Sequence, residues 1–155
     1  MKPYTVSARK IDILIVEDNP YDSELTMLAA KQGNKKANLI HIRDGPEALN
    51  FLHQQISEEN NLVIVLDLSL PRSDGLDILK DIRKNKSTKL TPVVILSGSE
   101  EEDKIEEAYA LGANSYVIKP TGFDEYIKFV SSITYFWSVV NTQPGDWNLH
   151  HYHPD

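Results

Sequence analysis

The sequence has no cysteine, which excludes disulfides, thiolate metal ligands and a thiol nucleophile. It also lacks long hydrophobic runs. Stretches such as Leu62 to Leu66 fall far short of the roughly 20 residues a membrane span needs. The first ten residues are polar, so no signal peptide is read there and a cytoplasmic protein is expected. Glycine and proline are sparse, 7 and 8 in 155 residues, which argues against a fibrous or low-complexity chain. Positive charge is in deficit as well. With 16 Lys and Arg against 23 Asp and Glu the net charge is −7, so phosphate backbones and anionic membranes would repel the chain. The nearest thing to a basic patch, Lys31 to Lys36, surrounds a Gly-Asn turn and reads as solvated surface. Neither nucleic acid nor membrane is therefore expected as a partner. What remains is a globular composition, 41% hydrophobic and 25% charged, of a size for one domain.

Five short apolar stretches have strand length and β-branched content: Ile11 to Val16, Leu39 to Ile42, Leu62 to Leu66, Val93 to Leu96 and Tyr116 to Ile118. Their near-continuous apolarity predicts burial on both faces of a sheet. Helical patterns lie between them. Asn19-Pro20 reads as an N-cap with proline at the first helical position, and that helix should stop near Gly33. Asp44-Gly45-Pro46 turns into a second helix whose inner face is Ala48, Leu49, Leu52 and Ile56. Asp74 caps a third, Ser99 with Glu102 forms a capping box opening a fourth, and a fifth spans about Phe123 to Val140. Strand and helix thus alternate five times through connections suited to right-handed crossovers. The expected fold is α/β: a doubly wound, five-stranded parallel sheet in the order 2-1-3-4-5. Such sheets bind ligands beyond the carboxyl ends of the strands, where strand order reverses.

The residues at those ends are Glu17-Asp18, Asp67, Ser97 and Lys119-Pro120. Three carboxylates at one rim would repel one another unless a cation sat among them, and with oxygen ligands alone a hard divalent ion, magnesium, is the economical choice. Magnesium leaves room for an anion in its shell, to which Lys119 would offer a compact charge and Ser97 a hydroxyl donor. Taken singly, Asp18 is as readily a helix cap and Ser97 a turn residue. Joint placement at one rim is what singles them out.

Four segments carry a resemblance to a known family: Ile13-Leu14-Ile15-Val16-Glu17-Asp18-Asn19-Pro20, Leu66 to Gly75 around Asp67, Val94-Ile95-Leu96-Ser97-Gly98, and Gly112 to Pro120. Over about residues 9 to 140 the chain resembles the receiver domains of two-component response regulators. Softer features, among them Asp44-Gly45-Pro46-Glu47-Ala48-Leu49 and an aromatic last helix, make it most similar to the stand-alone regulators of cyanobacterial and bacterial phytochromes. The resemblance implies a flavodoxin-like receiver fold and a phosphorelay role. Asp67 would accept a phosphoryl group from a histidine kinase, of phytochrome type. Asp18, Asp67 and the backbone carbonyl of Ser69 would bind Mg2+, with Glu17 acting through water. Lys119 and Ser97 would contact the phosphoryl group, and Ser97 with Tyr116 would form the switch. The Lys119–Pro120 bond would be cis. Tyr116 is equally an ordinary strand tyrosine on its residues alone. The implied chemistry is self-phosphorylation and autodephosphorylation on Asp67, not turnover of a substrate. Phosphohydrolases with an aspartate nucleophile carry a second acid two residues further on, and here that position is Ser69.

The organisation expected is a flexible N-terminus over 1–9, the receiver domain over 10–140 and an extension over 141–155. No output domain of DNA-binding or enzymatic size follows, so signalling is expected through a protein surface. On the fifth helix Phe123, Tyr126, Ile127, Val130, Ile133, Trp137 and Val140 form one arc, Phe129 and Phe136 extend its flank, and Tyr135 and Val139 point the other way. A helix apolar beyond its packing arc predicts a homodimer with Phe129, Tyr135, Phe136 and Val139 in the interface, unless the tail with Trp147 and Leu149 covers them. The terminal His150-His151-Tyr152-His153 is assigned no metal site.

Overall fold

The computed structural model describes residues 11–55 and 61–143. Alternation of apolar strands with helices produces β1 (Asp12–Val16), α1 (Pro20–Gly33), β2 (Asn38–Ile42), α2 (Gly45–Gln55), β3 (Leu62–Leu66), the two-residue strands β4 (Ser69–Leu70) and β5 (Ser73–Asp74), α3 (Gly75–Lys84), β6 (Val93–Ser97), α4 (Glu102–Ala110), β7 (Ser115–Ile118) and α5 (Phe123–Tyr135). A π turn, Phe136–Val140, follows. The five long strands form one parallel sheet in the order β2-β1-β3-β6-β7, which is 2-1-3-4-5 counted on those strands alone. The three central strands β1, β3 and β6 are buried on both faces, whereas the edge strands β2 and β7 are largely half-buried, having a neighbour on one side only. Leu14, Val16, Ile64, Leu66 and Ile95 pack under Ala48 and Leu52 of α2 and Leu79 and Ile82 of α3. Alternate residues Ile13, Ile15, Val63, Val65 and Val94 pack under Leu25 and Ala29 of α1 and Tyr126 and Val130 of α5.

The helix starts follow the capping chemistry in two cases. Asn19 Oδ1 accepts the N–H groups of Tyr21 and Asp22, with Pro20 at the first helical position, and Asp74 accepts from Leu76. The box expected from Ser99 and Glu102 does not form. Ser99 Oγ accepts the N–H of Glu101 instead, and α4 opens at Glu102 behind an N-cap, Glu101, whose side chain makes no capping bond. The β4–β5 hairpin is an addition to the pattern expected from sequence, since two-residue strands carry no periodicity. Its turn puts Arg72 at φ 61, an uncommon conformation for a side chain other than glycine or asparagine.

The last helix also departs from its expected facing. The hydrogen-bond pattern widens from α to π at Phe136, which rotates the following side chains relative to a 100° step. Ser138 and Val139 turn inward and Val140 outward, so Val139 is buried within the chain (8% exposed) and is withdrawn from the expected interface. Phe123, placed on the inner arc by spacing, is exposed at the start of α5, while Phe129, Tyr135 and Phe136 are exposed as expected. Ile56, the segment 1–9 and the tail from 144 onward, including Trp147, Leu149 and the histidines, lie outside the described residues.

Candidate functional site

The sheet carries its hydrogen-bond ladder one residue past the strand ends. The N–H of Glu17 donates to Ile42, that of Asp67 to Val16 and that of Lys119 to Ser97, at 3.1, 3.0 and 2.8 Å. Rigid backbone thereby presents all three side chains at the rim where strand order reverses. Lys119 Nζ lies 2.7 Å from Glu17 Oε2, 2.9 Å from Asp22 Oδ2 and 3.1 Å from Asp67 Oδ2. The second oxygen of Asp67 accepts the N–H of Ser69, and that of Glu17 accepts the N–H of Asn19, both at 3.0 Å. Glu17, Asp67 and Lys119, drawn from three separate segments of sequence, are thus brought together as expected. Asp18, next to Glu17 in the chain, is exposed. Asp22 joins those three without any sequence signal of its own, because an acid in the first turn of a helix is ordinary there.

One ammonium faces three carboxylates, and the site keeps an excess of negative charge. Glu17 and Asp67 are only 3% and 6% exposed. Burial, with the charge of Asp67 acting in the same direction, pushes the Glu17 carboxyl up to about 7 although Lys119 opposes the shift. Burial disfavours the charged form of Lys119, but the hydrogen bond it donates to Glu17 and the charges of Asp67 and Glu17 outweigh that and raise its pKa. This all-oxygen, over-charged donor set suits a hard divalent cation, which commonly uses one or two carboxylates and fills its shell with water. Among the described residues no three Asp, Glu or His side chains already close on one point, and Lys119 Nζ is what stands between Glu17, Asp22 and Asp67.

Two clefts flank the rim. One, of about 400 Å³, is lined by Tyr21, Asp22, Gly98, Lys119, Phe123 and Tyr126. The other, of about 270 Å³, is lined by Ser69, Leu70, Asp74, Ser97, Ser99 and Lys104. Ser97 is fully buried and its Oγ accepts the N–H of Ser99 at 3.2 Å. A side chain at Gly98 would meet nothing within 4 Å. Tyr116 is half-buried against the core, its hydroxyl donating to the Ser99 carbonyl at 2.9 Å and its N–H to Tyr109 Oη at 3.1 Å. Ser97 and Tyr116 therefore meet at the same residue of the β6–α4 loop. The cis bond expected at Lys119–Pro120 is absent: every peptide bond among the described residues is trans. Trans is the ordinary preference of X–Pro bonds, and from it Lys119 reaches all three carboxylates.

Buried acids at two adjacent strand ends of a doubly wound parallel sheet, reached by a lysine from a third, make a charged site at the switch point, where this class of fold binds its ligands. The chain belongs to the response regulator receiver domain family, whose model matches residues 13–131. It is 38% identical to the response regulator Rcp1 of Synechocystis sp. over 136 residues, 86% of this chain and 92% of that protein. Among solved structures it is similar to the phosphorylated cyanobacterial phytochrome response regulator RcpA, with TM-score 0.81 and 33% identity over 88% of this chain and 99% of that one. The Mn2+-bound form of Rcp1 aligns with TM-score 0.77 and 37% identity, covering 86% and 99%. The chain is thus a signalling receiver domain homologous to phytochrome-associated response regulators. Among the described residues no helix is long and apolar enough to cross a membrane.

Proposed function

We propose that the chain takes a phosphoryl group onto Asp67 from a histidine kinase, of phytochrome type, and thereby alters a protein-binding surface. The observation that carries this reading is the buried Asp67 carboxylate held 3.1 Å from Lys119 Nζ at the switch point of the sheet. A carboxylate oxygen of Asp67 attacks phosphorus, the P–N bond of the phosphohistidine breaks, and its electron pair returns to the imidazole ring. An ionised carboxylate is already a nucleophile and needs no base. The work of the protein is positioning and charge compensation. Lys119 follows the phosphoryl oxygens, and Ser97 turns its hydroxyl from the Ser99 N–H toward one of them. Tyr116 then loses its partner as the β6–α4 loop moves, which passes the event to α4 and β7.

Asp18, Asp67 and the carbonyl of Ser69 would hold Mg2+, with Glu17 reaching it through water. When bound, that ion supplies neutralising charge for the phosphoryl oxygens. The Mn2+-bound form of the relative Rcp1 supports a divalent cation here, and RcpA supports the kinase class. A cytoplasmic homodimer, joined through the exposed aromatics of α5, completes the reading. Incubation with Mg2+ and acetyl phosphate is expected to add one phosphoryl unit to the intact mass, and Asp67→Asn to abolish it. Catalytic phosphate release would indicate a hydrolase instead, and an unmodified protein a binding module that works without phosphorylation.

A further inference from the structure

We propose that Asp22 is a positioning residue for phosphoryl transfer, the anchor that keeps Lys119 aimed at Asp67 while its other two partners change. This rests on Asp67 being the phosphoacceptor. An ammonium has three N–H donors, and Glu17, Asp22 and Asp67 take them at 2.7, 2.9 and 3.1 Å. Two of those acceptors change during the reaction. Asp67 becomes an acyl phosphate and loses its full charge, and Glu17 lies beside the cation that the reaction requires. Asp22 takes part in neither event.

Its own placement is fixed from the backbone. The N–H of Asp22 donates to Asn19 Oδ1 at 3.1 Å, and the N–H of Asn19 donates to Glu17 Oε1 at 3.0 Å. Glu17, Asn19, Asp22 and Lys119 thus close a ring of hydrogen bonds across the start of α1 and the end of β7. The carboxylate, a quarter exposed, sits on the wall of the 400 Å³ cleft beside Lys119. From there it holds the ammonium at the opening without blocking Asp67. An acid in the first turn of a helix has a simpler explanation, compensation of the helix dipole. That explanation gives Asp22 no dependence on Lys119, and the two accounts part at this point.

The test is a double-variant cycle on the full chain, reading the initial rate of Asp67 labelling by acetyl phosphate with Mg2+ through intact mass. Asp22→Ala is expected to slow labelling about three- to tenfold, the effect of one charge-assisted hydrogen bond. In a Lys119→Ala background the same substitution should change the rate less than about twofold. A second reading needs neither metal nor donor: the side-chain 15N signal of Lys119, protected in the wild type, should be lost to water exchange in Asp22→Ala and retained in Asp22→Asn, which keeps an acceptor oxygen. If the alanine variant fails to fold, Asp22→Ser enters the same cycle with the same expectation, since its hydroxyl is uncharged and too short to reach the ammonium. A wild-type rate for Asp22→Ala, or an equal slowing in both backgrounds, would overturn the proposal while leaving Asp67 as phosphoacceptor. A wild-type protein that takes no label on Asp67 overturns both.

Discussion

Glu17 and Lys119 are pushed in the same numerical direction by one another's surroundings, with opposite consequences for stability. A lysine with a raised pKa stabilises the fold fully below its ordinary range and loses that contribution only as pH rises through the raised value, so Lys119 stays charged wherever the fold is studied. Glu17 is an acid raised from 4.5 to about 7, so between those values the folded state holds a proton that the unfolded chain has released. Stability must then fall as pH rises across that window and level off above it. Relative to Glu17→Gln, the metal-free wild type is expected to lose about 2 kcal/mol between pH 5 and 8, measured by urea midpoints. Parallel curves for the two proteins would sink the assignment of the shift to Glu17. At this scale the rim acids, Ser97 and Lys119 were legible because strand ends in an alternating pattern mark one edge of the sheet. Asp22 was not, since its place in the first turn of α1 already had a sufficient explanation and its ion pair spans 97 residues.

Helices α1 and α5 meet along a buried seam in which polar contacts are set among the apolar ones. Thr26 and Tyr126 share a hydrogen bond of 2.8 Å, Asn34 donates to Ser138 Oγ at 3.2 Å, and Ser138 Oγ bonds the Thr134 carbonyl in turn. Apolar residues at helical spacing mark Tyr126 and Val130 but not Thr134 and Ser138, whose hydroxyls are satisfied by carbonyls one turn back. The π turn was equally out of reach, because widening by one residue per turn leaves no compositional mark. At Gly33 the helices approach closely: a Cβ there would run into Thr134 Oγ1 and the Ser131 carbonyl, and the second of these is backbone and cannot swing aside. Gly33→Ala is therefore expected to destabilise by about 1–3 kcal/mol in chemical denaturation. Helix propensity alone would favour alanine by about 1 kcal/mol, so even an unchanged midpoint would mean the seam resists. A gain of that full amount would show that the contact yields freely.

Taken as a whole, the molecule presents apolar surface where its charge gives least reason to expect it. Phe129 and Phe136, 47% and 46% exposed, lie seven residues apart on the outer side of the last helix with Tyr135 beside them, and Phe136 stands edge-on to Trp137 at 5.1 Å. Two copies each carrying −7 repel one another, so association through this face must draw on aromatic burial against an electrostatic cost. That opposition fixes the sign of a measurement. If the face forms the homodimer, raising salt screens the repulsion and tightens association, whereas a dimer held by ion pairs would loosen. Sedimentation velocity over a concentration series should therefore give a dimer whose dissociation constant falls with salt. The double substitution Phe129→Ser with Phe136→Ser should raise that constant at least tenfold while the melting temperature changes little. Val139→Ala provides the contrast, because its side chain is buried inside one chain: stability should drop by about 1–2 kcal/mol with association untouched. A monomer at every concentration, both in the full chain and in one ending at residue 143, would remove the α5 face from the assembly and leave the aromatics free for a different protein partner.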